Sequence, residues 1–79
     1  MEASVQLGRA IKDTRLARGL TREDVTVALR QAGLRTSLGT YDRWERTGSI
    51  KAHDLVGLAR VLEIQPADLL ESLTADRVA

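Results

Sequence analysis

TSLGTYDRWERTG, residues 36–48, holds the only two aromatic residues of the chain, Tyr41 and Trp44. Thr36 or Ser37 can cap a helix here, because a hydroxyl oxygen accepts from the orphan amides of a first turn. Thr47-Gly48-Ser49 then breaks it, so the stretch predicts a short helix over about Leu38 to Arg46. Three residues apart, Tyr41 and Trp44 fall on one face of that helix. Two readings of that face are open. The aromatics can be core, or they can stack on bases as in single-strand binders. Such binders set aromatics on a sheet, and no stretch of this chain alternates as a strand would. Core is therefore the expected role, with the Tyr41 hydroxyl still able to emerge toward a phosphate.

Outward from this stretch the period stays helical. Leu7, Ala10 and Ile11 define the inner face of a first helix, about Ser4 to Arg18, which Gly19 ends. Thr21-Arg22-Glu23-Asp24 reads as a variant capping box. It opens a second helix with Val25, Ala28 and Leu29 inward, running to Gln31 or Ala32 before Gly33. Gly33-Leu34-Arg35-Thr36 is a turn. A fourth helix, about Ala52 to Leu62, carries Leu55, Leu58, Ala59 and Leu62 at helical spacing. Gln65-Pro66-Ala67-Asp68 opens a short fifth, with proline in the first turn where no amide partner is lost. Leu69, Leu70 and Leu73 direct it back to the core, and Thr74 to Ala79 are expected to fray. The expected fold is all-α, one domain over residues 1–79 with its core at about 7–73. The core candidates are Leu7, Ile11, Val25, Leu29, Tyr41, Trp44, Leu55, Leu58, Leu62 and Leu69.

Composition narrows the function. A chain of 79 residues without cysteine has no disulfide to lean on and must hold by packing. A reducing cytoplasm is the expected setting. No apolar run approaches the roughly 20 residues that span a bilayer, and MEASVQLG lacks the pattern of a secretory signal. With one histidine, no cysteine and no paired carboxylates beside a glycine-rich loop, no catalytic set is visible. No metal, cofactor or small-molecule ligand is expected. His53 reads as a surface or capping residue. Net charge is only +1, but ten Lys/Arg stand against five Asp/Glu between Arg9 and Lys51, while the remainder is acidic. Such asymmetry suggests that one end meets an anion. An unevenly charged solvated surface is the other reading.

Two helices joined by a turn, the second short and bearing arginines, is a helix-turn-helix arrangement. The ordered set Leu7-Gly8, Ile11 to Arg15, Gly19-Leu20-Thr21-Arg22-Glu23, Ser37 to Thr40, Trp44-Glu45-Arg46 and the leucine-rich end closely resembles the Cro/phage-repressor (XRE) class of DNA-binding domains. The resemblance covers about Leu7 to Leu70. It implies a five-helix, lambda-repressor-like domain whose third helix enters the major groove. It also implies a partly buried ion pair of Arg15 with Glu45, and inward places for Leu29, Tyr41, Trp44 and Leu58. Ser37, Leu38, Gly39, Thr40 and Arg43 become the candidate base contacts, with Asp42 and Arg46 also outward. Arg43 leads, since its fork matches the two acceptors of guanine, unless it pairs with Asp42. Thr21, Arg22, Arg35, Arg46, Thr47 and Lys51 become candidate phosphate contacts. The chain departs from the pattern in four places, the smallest being Gly48, one residue later than the commonest form. About five additional residues between helices two and three call for an elongated helix two and wider turn. Thr26 replaces a small residue, and Leu38-Gly39 stands where polar readers are usual.

The expected function is sequence-specific binding of double-stranded DNA by a repressor-like transcriptional regulator, encoded by a bacterium or phage. A homodimer on a two-fold site is expected, with half-sites roughly 10 bp apart or a multiple. Leu69, Leu70, Leu73 and Val78 are available for the dimer contact, although Leu69 and Leu70 can equally close their own core. The rival is a protein-interaction module of the same fold, an antitoxin or anti-repressor.

Overall fold

A computed structural model describes residues 2–71, with side chains from residue 5 onward. It contains α1 (Glu2–Ala17), α2 (Arg22–Gln31), α3 (Leu38–Thr47) and α4 (Ala52–Val61). Residues 66–71 form a further helix, α5, and no strand occurs among the described residues. None of these helices is long and apolar enough to cross a membrane. The tail Thr74 to Ala79, with Leu73 and Val78, lies outside the described residues.

The helix ends explain the element lengths. Three helices stop by one device, a residue of positive φ followed by an apolar residue whose amide reaches back five positions. Gly19, Gly33 and Glu63 have φ of 70°, 93° and 60°. Behind them the amides of Leu20, Leu34 and Ile64 donate to the carbonyls of Arg15, Leu29 and Ala59. Each of these apolar residues packs on the core, which completes the hydrogen bond and hydrophobic contact of a Schellman ending. Gly48, φ 70°, ends α3 more simply by donating to the Trp44 carbonyl. At the other ends, Thr21 and Asp24 close a reciprocal capping box, and the Ser37 hydroxyl accepts from the Thr40 amide.

The core is one cluster to which every helix contributes: Leu7 and Ile11, Val25 and Leu29, Tyr41 and Trp44, Leu55 and Leu58 with Ala59, then Leu62 and Leu69. A side chain such as Ile11, with no exposed surface, contributes roughly 1.5–3 kcal/mol by leaving water. Leu70 corrects the sequence reading: it is 44% exposed while its neighbour Leu69 is buried. Adjacent residues of a helix lie about 100° apart, so with Leu69 turned fully inward Leu70 falls toward the flank of α5.

Two close approaches set the helix arrangement. A Cβ on Gly8 would run into the Glu45 carbonyl oxygen and lie 2.8 Å from that of Trp44. Glycine at this place lets α1 cross the backbone of α3. The additional residues between α2 and α3 lie in the connection, residues 32–37, while α2 itself is only ten residues long. Leu34 of that connection packs over Gly57 of α4, and Arg30 Nε donates to the Thr36 carbonyl at 2.9 Å. Thr26, where a smaller residue is usual, is buried with its hydroxyl donating to the Arg22 carbonyl at 2.8 Å.

Candidate nucleic-acid interface

α3 is held from behind by one carboxylate. Glu45 accepts from Arg15 Nε at 2.6 Å and from Arg15 Nη2 at 3.3 Å, a two-pronged pair. Their side chains are only 2% and 7% exposed. Arg15 Nη1 also donates to the Leu20 carbonyl at 2.9 Å, joining the pair to the turn after α1. The Tyr41 hydroxyl donates to Glu45 Oε2 at 2.5 Å, and Arg22 Nε donates to Oε1 at 3.2 Å. Helices α1, α2 and α3 therefore meet at Glu45. Burial alone would push the Glu45 carboxyl up, but the hydrogen bonds from Arg15, Tyr41 and Arg22 outweigh it and hold the group below its ordinary value. The bond to Glu45 raises the Arg15 guanidinium. Burial and the same carboxylate push the Tyr41 phenol up.

Tyr41 and Trp44 both lie inward, ring centroids 5.9 Å apart and edge to face at 72°. The Tyr41 hydroxyl does not emerge toward solvent, because a buried carboxylate is a stronger acceptor and lies one helical turn away. The opposite side of α3 carries Gly39, Arg43 and Arg46, all exposed and spaced i, i+4, i+7. Arg43 does not pair with Asp42, and its guanidinium makes no ion pair or hydrogen bond among the described residues. Asp42 is half-buried and taken instead by Arg46 Nε at 3.0 Å and Arg22 Nε at 3.7 Å. Leu38 is 40% exposed at the helix start. Beyond its chain neighbours and the backbone of α3, the first atom that a Cβ placed on Gly39 meets is the Ser37 hydroxyl oxygen, at 4.0 Å. Ser37 and Thr40 are tied to each other by the cap, with the Ser37 hydroxyl donating to that of Thr40 at 3.1 Å.

The candidate phosphate contacts fall into two kinds. Arg35 and Lys51 are exposed, with no ion pair or side-chain hydrogen bond among the described residues. The others already have work within the chain. The Thr21 amide donates to Asp24 Oδ2 at 2.9 Å and its hydroxyl accepts from the Asp24 amide at 3.0 Å. A carboxylate thus sits at the start of α2, and hydrogen bonding from the Thr21 amide, then from its hydroxyl, lowers the Asp24 carboxyl. Arg22 turns toward Glu45 and Asp42, and Arg46 toward Asp42. The Thr47 hydroxyl donates to the Arg43 carbonyl at 2.8 Å and accepts from the Ser49 amide at 3.2 Å. Arg43 and Lys51 share a shallow depression with Thr40 and Ser49 on the α4 side of α3. His53 is exposed and lies 3.1 Å from Asp54, and no group of three or more potential metal ligands occurs among the described residues.

Two further features border α3. A groove between the end of α1, the start of α2 and the start of α3 is lined by Leu16, Leu20, Arg22, Leu38 and Gly39. On the α1 side, a hollow is rimmed by Arg9, Lys12, Arg22 and Arg46 over Glu45. Arg9 and Lys12 are not among the contacts that the resemblance implies. Their spacing of three on the face of α1 away from Ile11 is the signal that marks them. Compared with family models, characterised proteins and solved structures, the chain has no match.

Proposed function

We propose that this chain is a lambda-repressor-like helix-turn-helix domain that binds double-stranded DNA as a transcriptional regulator, with α2 and α3 as the two helices and α3 in the major groove. The observation carrying this reading is the division of α3. Its inner side is fixed through Tyr41, Trp44 and Glu45, while its outer side presents an arginine, Arg43, with no ion pair or hydrogen bond to its guanidinium among the described residues. In this reading Arg43 reads a guanine, and a well-placed bidentate pair discriminates by about 1–3 kcal/mol. Arg35 and Lys51 contact phosphates, and Arg46 exchanges Asp42 for a phosphate at the groove edge. A dimer forms on a two-fold site, and Leu70, exposed on α5, is the apolar residue offered for that contact among the described ones.

Selection from a random duplex pool, followed by binding across salt, tests the proposal. About six phosphate contacts imply roughly a 10³-fold loss of affinity between about 50 and 200 mM salt. Absence of duplex binding at low salt refutes it. The groove along Leu16, Leu20 and Leu38 favours a second reading, an interaction module whose partner is another protein, since Leu16 is 54% exposed there. Co-purification of a protein partner without any duplex binding is the result that reading requires.

A further inference from the structure

We propose that α1 supplies a second contact to the DNA backbone, through Arg9 and Lys12 in the hollow they share with Arg22 and Arg46. This rests on the DNA-binding reading above. The hollow spans three helices, with Arg9 and Lys12 from α1, Arg22 from α2, and Arg46 with Glu45 from α3. Its charges do not cancel. Glu45 at its floor is consumed by Arg15 and Arg22, and Asp42 beside it by Arg22 and Arg46. Arg9 and Lys12 are exposed and make no ion pair or hydrogen bond among the described residues. Among the described residues, Asp13 is the one carboxylate of the hollow without an ion pair or side-chain hydrogen bond, and it stands against two such cations, Arg9 and Lys12. A surplus of positive charge in a concavity attracts an anion more strongly than the same charge on a convex face.

The occupant is a phosphate strand and not an acidic protein because of what adjoins the hollow. Arg46 belongs both to its rim and to the outward row Gly39, Arg43, Arg46 of α3. A duplex seated on that row runs its backbone past Arg46 and on to α1. Arg9 and Lys12 stand one turn apart with long flexible stems, so they can follow a strand without reading its bases.

The full chain and Arg9→Gln/Lys12→Gln are compared by fluorescence anisotropy on the selected duplex from 50 to 200 mM salt. Glutamine keeps helix propensity, both positions are exposed, and an unchanged circular-dichroism melt verifies folding. Each contact contributes about 0.9 to the slope of log affinity on log salt, so the double variant's slope is shallower by about 2. Across that fourfold salt range the parent chain loses about tenfold more affinity than the variant. The selected sequence stays the same. Each single variant shows half the change in slope, and Arg60→Gln, an exposed position on α4 outside the hollow, shows none. An unchanged slope in the double variant, with the parent binding duplex normally, overturns this contact alone. A parent chain that binds no duplex overturns both this contact and the function on which it rests.

Discussion

Replacing Glu45 by alanine strips three donors of one acceptor. Arg15 is left 7% exposed with no counter-charge, and breaking a buried pair from one side costs about 3–5 kcal/mol. The Tyr41 hydroxyl, in a side chain with no exposed surface, loses its partner as well, and an unsatisfied buried polar group costs about 1–3 kcal/mol. Arg22 is 43% exposed and recovers water, so its loss is small. The expected destabilisation is about 4–6 kcal/mol, since the two larger costs overlap where Arg15 and Tyr41 share Oε2. A domain of this size has roughly 4–12 kcal/mol in all. Glu45→Ala is therefore expected to lose from about a third to all of that stability, read as a lowered midpoint in urea denaturation followed by circular dichroism. Arg15→Met/Glu45→Leu removes both charges and is expected to cost far less than Glu45→Ala. The pH profile gives a separate check. The folded carboxyl lies below its ordinary value of 4.5, so the unfolded chain binds more protons between the two values. Stability from this group is full above the unfolded value and drains away as pH falls through the folded one. Glu45→Gln removes that acid loss. A melting midpoint within a few degrees of the parent for Glu45→Ala refutes the whole account of the buried pair.

Gly8→Ala places a methyl group against two backbone carbonyls of α3, which cannot rotate aside. It is expected to cost about 1–3 kcal/mol or more, measured as a lowered urea midpoint with an unchanged slope. Glu63→Gly relieves a side chain held at φ 60°, a strain of roughly 1–2 kcal/mol. Part of this is offset by the freer unfolded chain and the loss of an exposed 3.7 Å pair with Arg18. The net expectation is a melting point higher by a few degrees. Gly39→Ala makes no more than ordinary contact with the Ser37 hydroxyl and is expected to stabilise α3 by about 0.5–1 kcal/mol, yet to weaken duplex binding. A gain in both quantities would remove Gly39 from the interface.

The helices were legible where the chain carries a marker for each end. Gly19, Gly33 and Gly48 all take positive φ, and Thr21 and Ser37 both cap. The end of α4 was less legible, because Glu63 performs the glycine's task without looking like a glycine. Two adjacent leucines also hid which one turns inward, since Leu69 and Leu70 match the helical pattern equally until α5 is placed on the core. At the candidate interface the partners of Arg22 and Arg46 were not legible at all. Both arginines were expected on phosphates from their places at helix ends. Their actual bonds run across the α2–α3 angle to Glu45 and along one turn to Asp42. Arg9 and Lys12 acquire meaning only when α1 is laid beside Arg46, a relation that no local pattern encodes.

Leu38 and Gly39 follow from the same division of α3. A glycine in an exposed helical turn costs up to about 1 kcal/mol against alanine. Among the described residues nothing requires it there: beyond its chain neighbours and the helix backbone the first atom met is a side-chain oxygen at 4.0 Å, and its φ is not positive. On the proposed reading its use lies outside the chain. A bare backbone lets the edge of a base or the sugar–phosphate rail come closer than any side chain would allow. Leu38, 40% exposed beside it, offers an apolar surface suited to a thymine methyl, not a hydrogen-bond donor. Specific hydrogen bonding then rests on Arg43, one turn further on, and the start of the helix discriminates by shape. That division makes the rigidity of α3 decisive. A shape contact without hydrogen bonds tolerates little displacement, and the Glu45 junction with α1 and α2 is what holds the helix still.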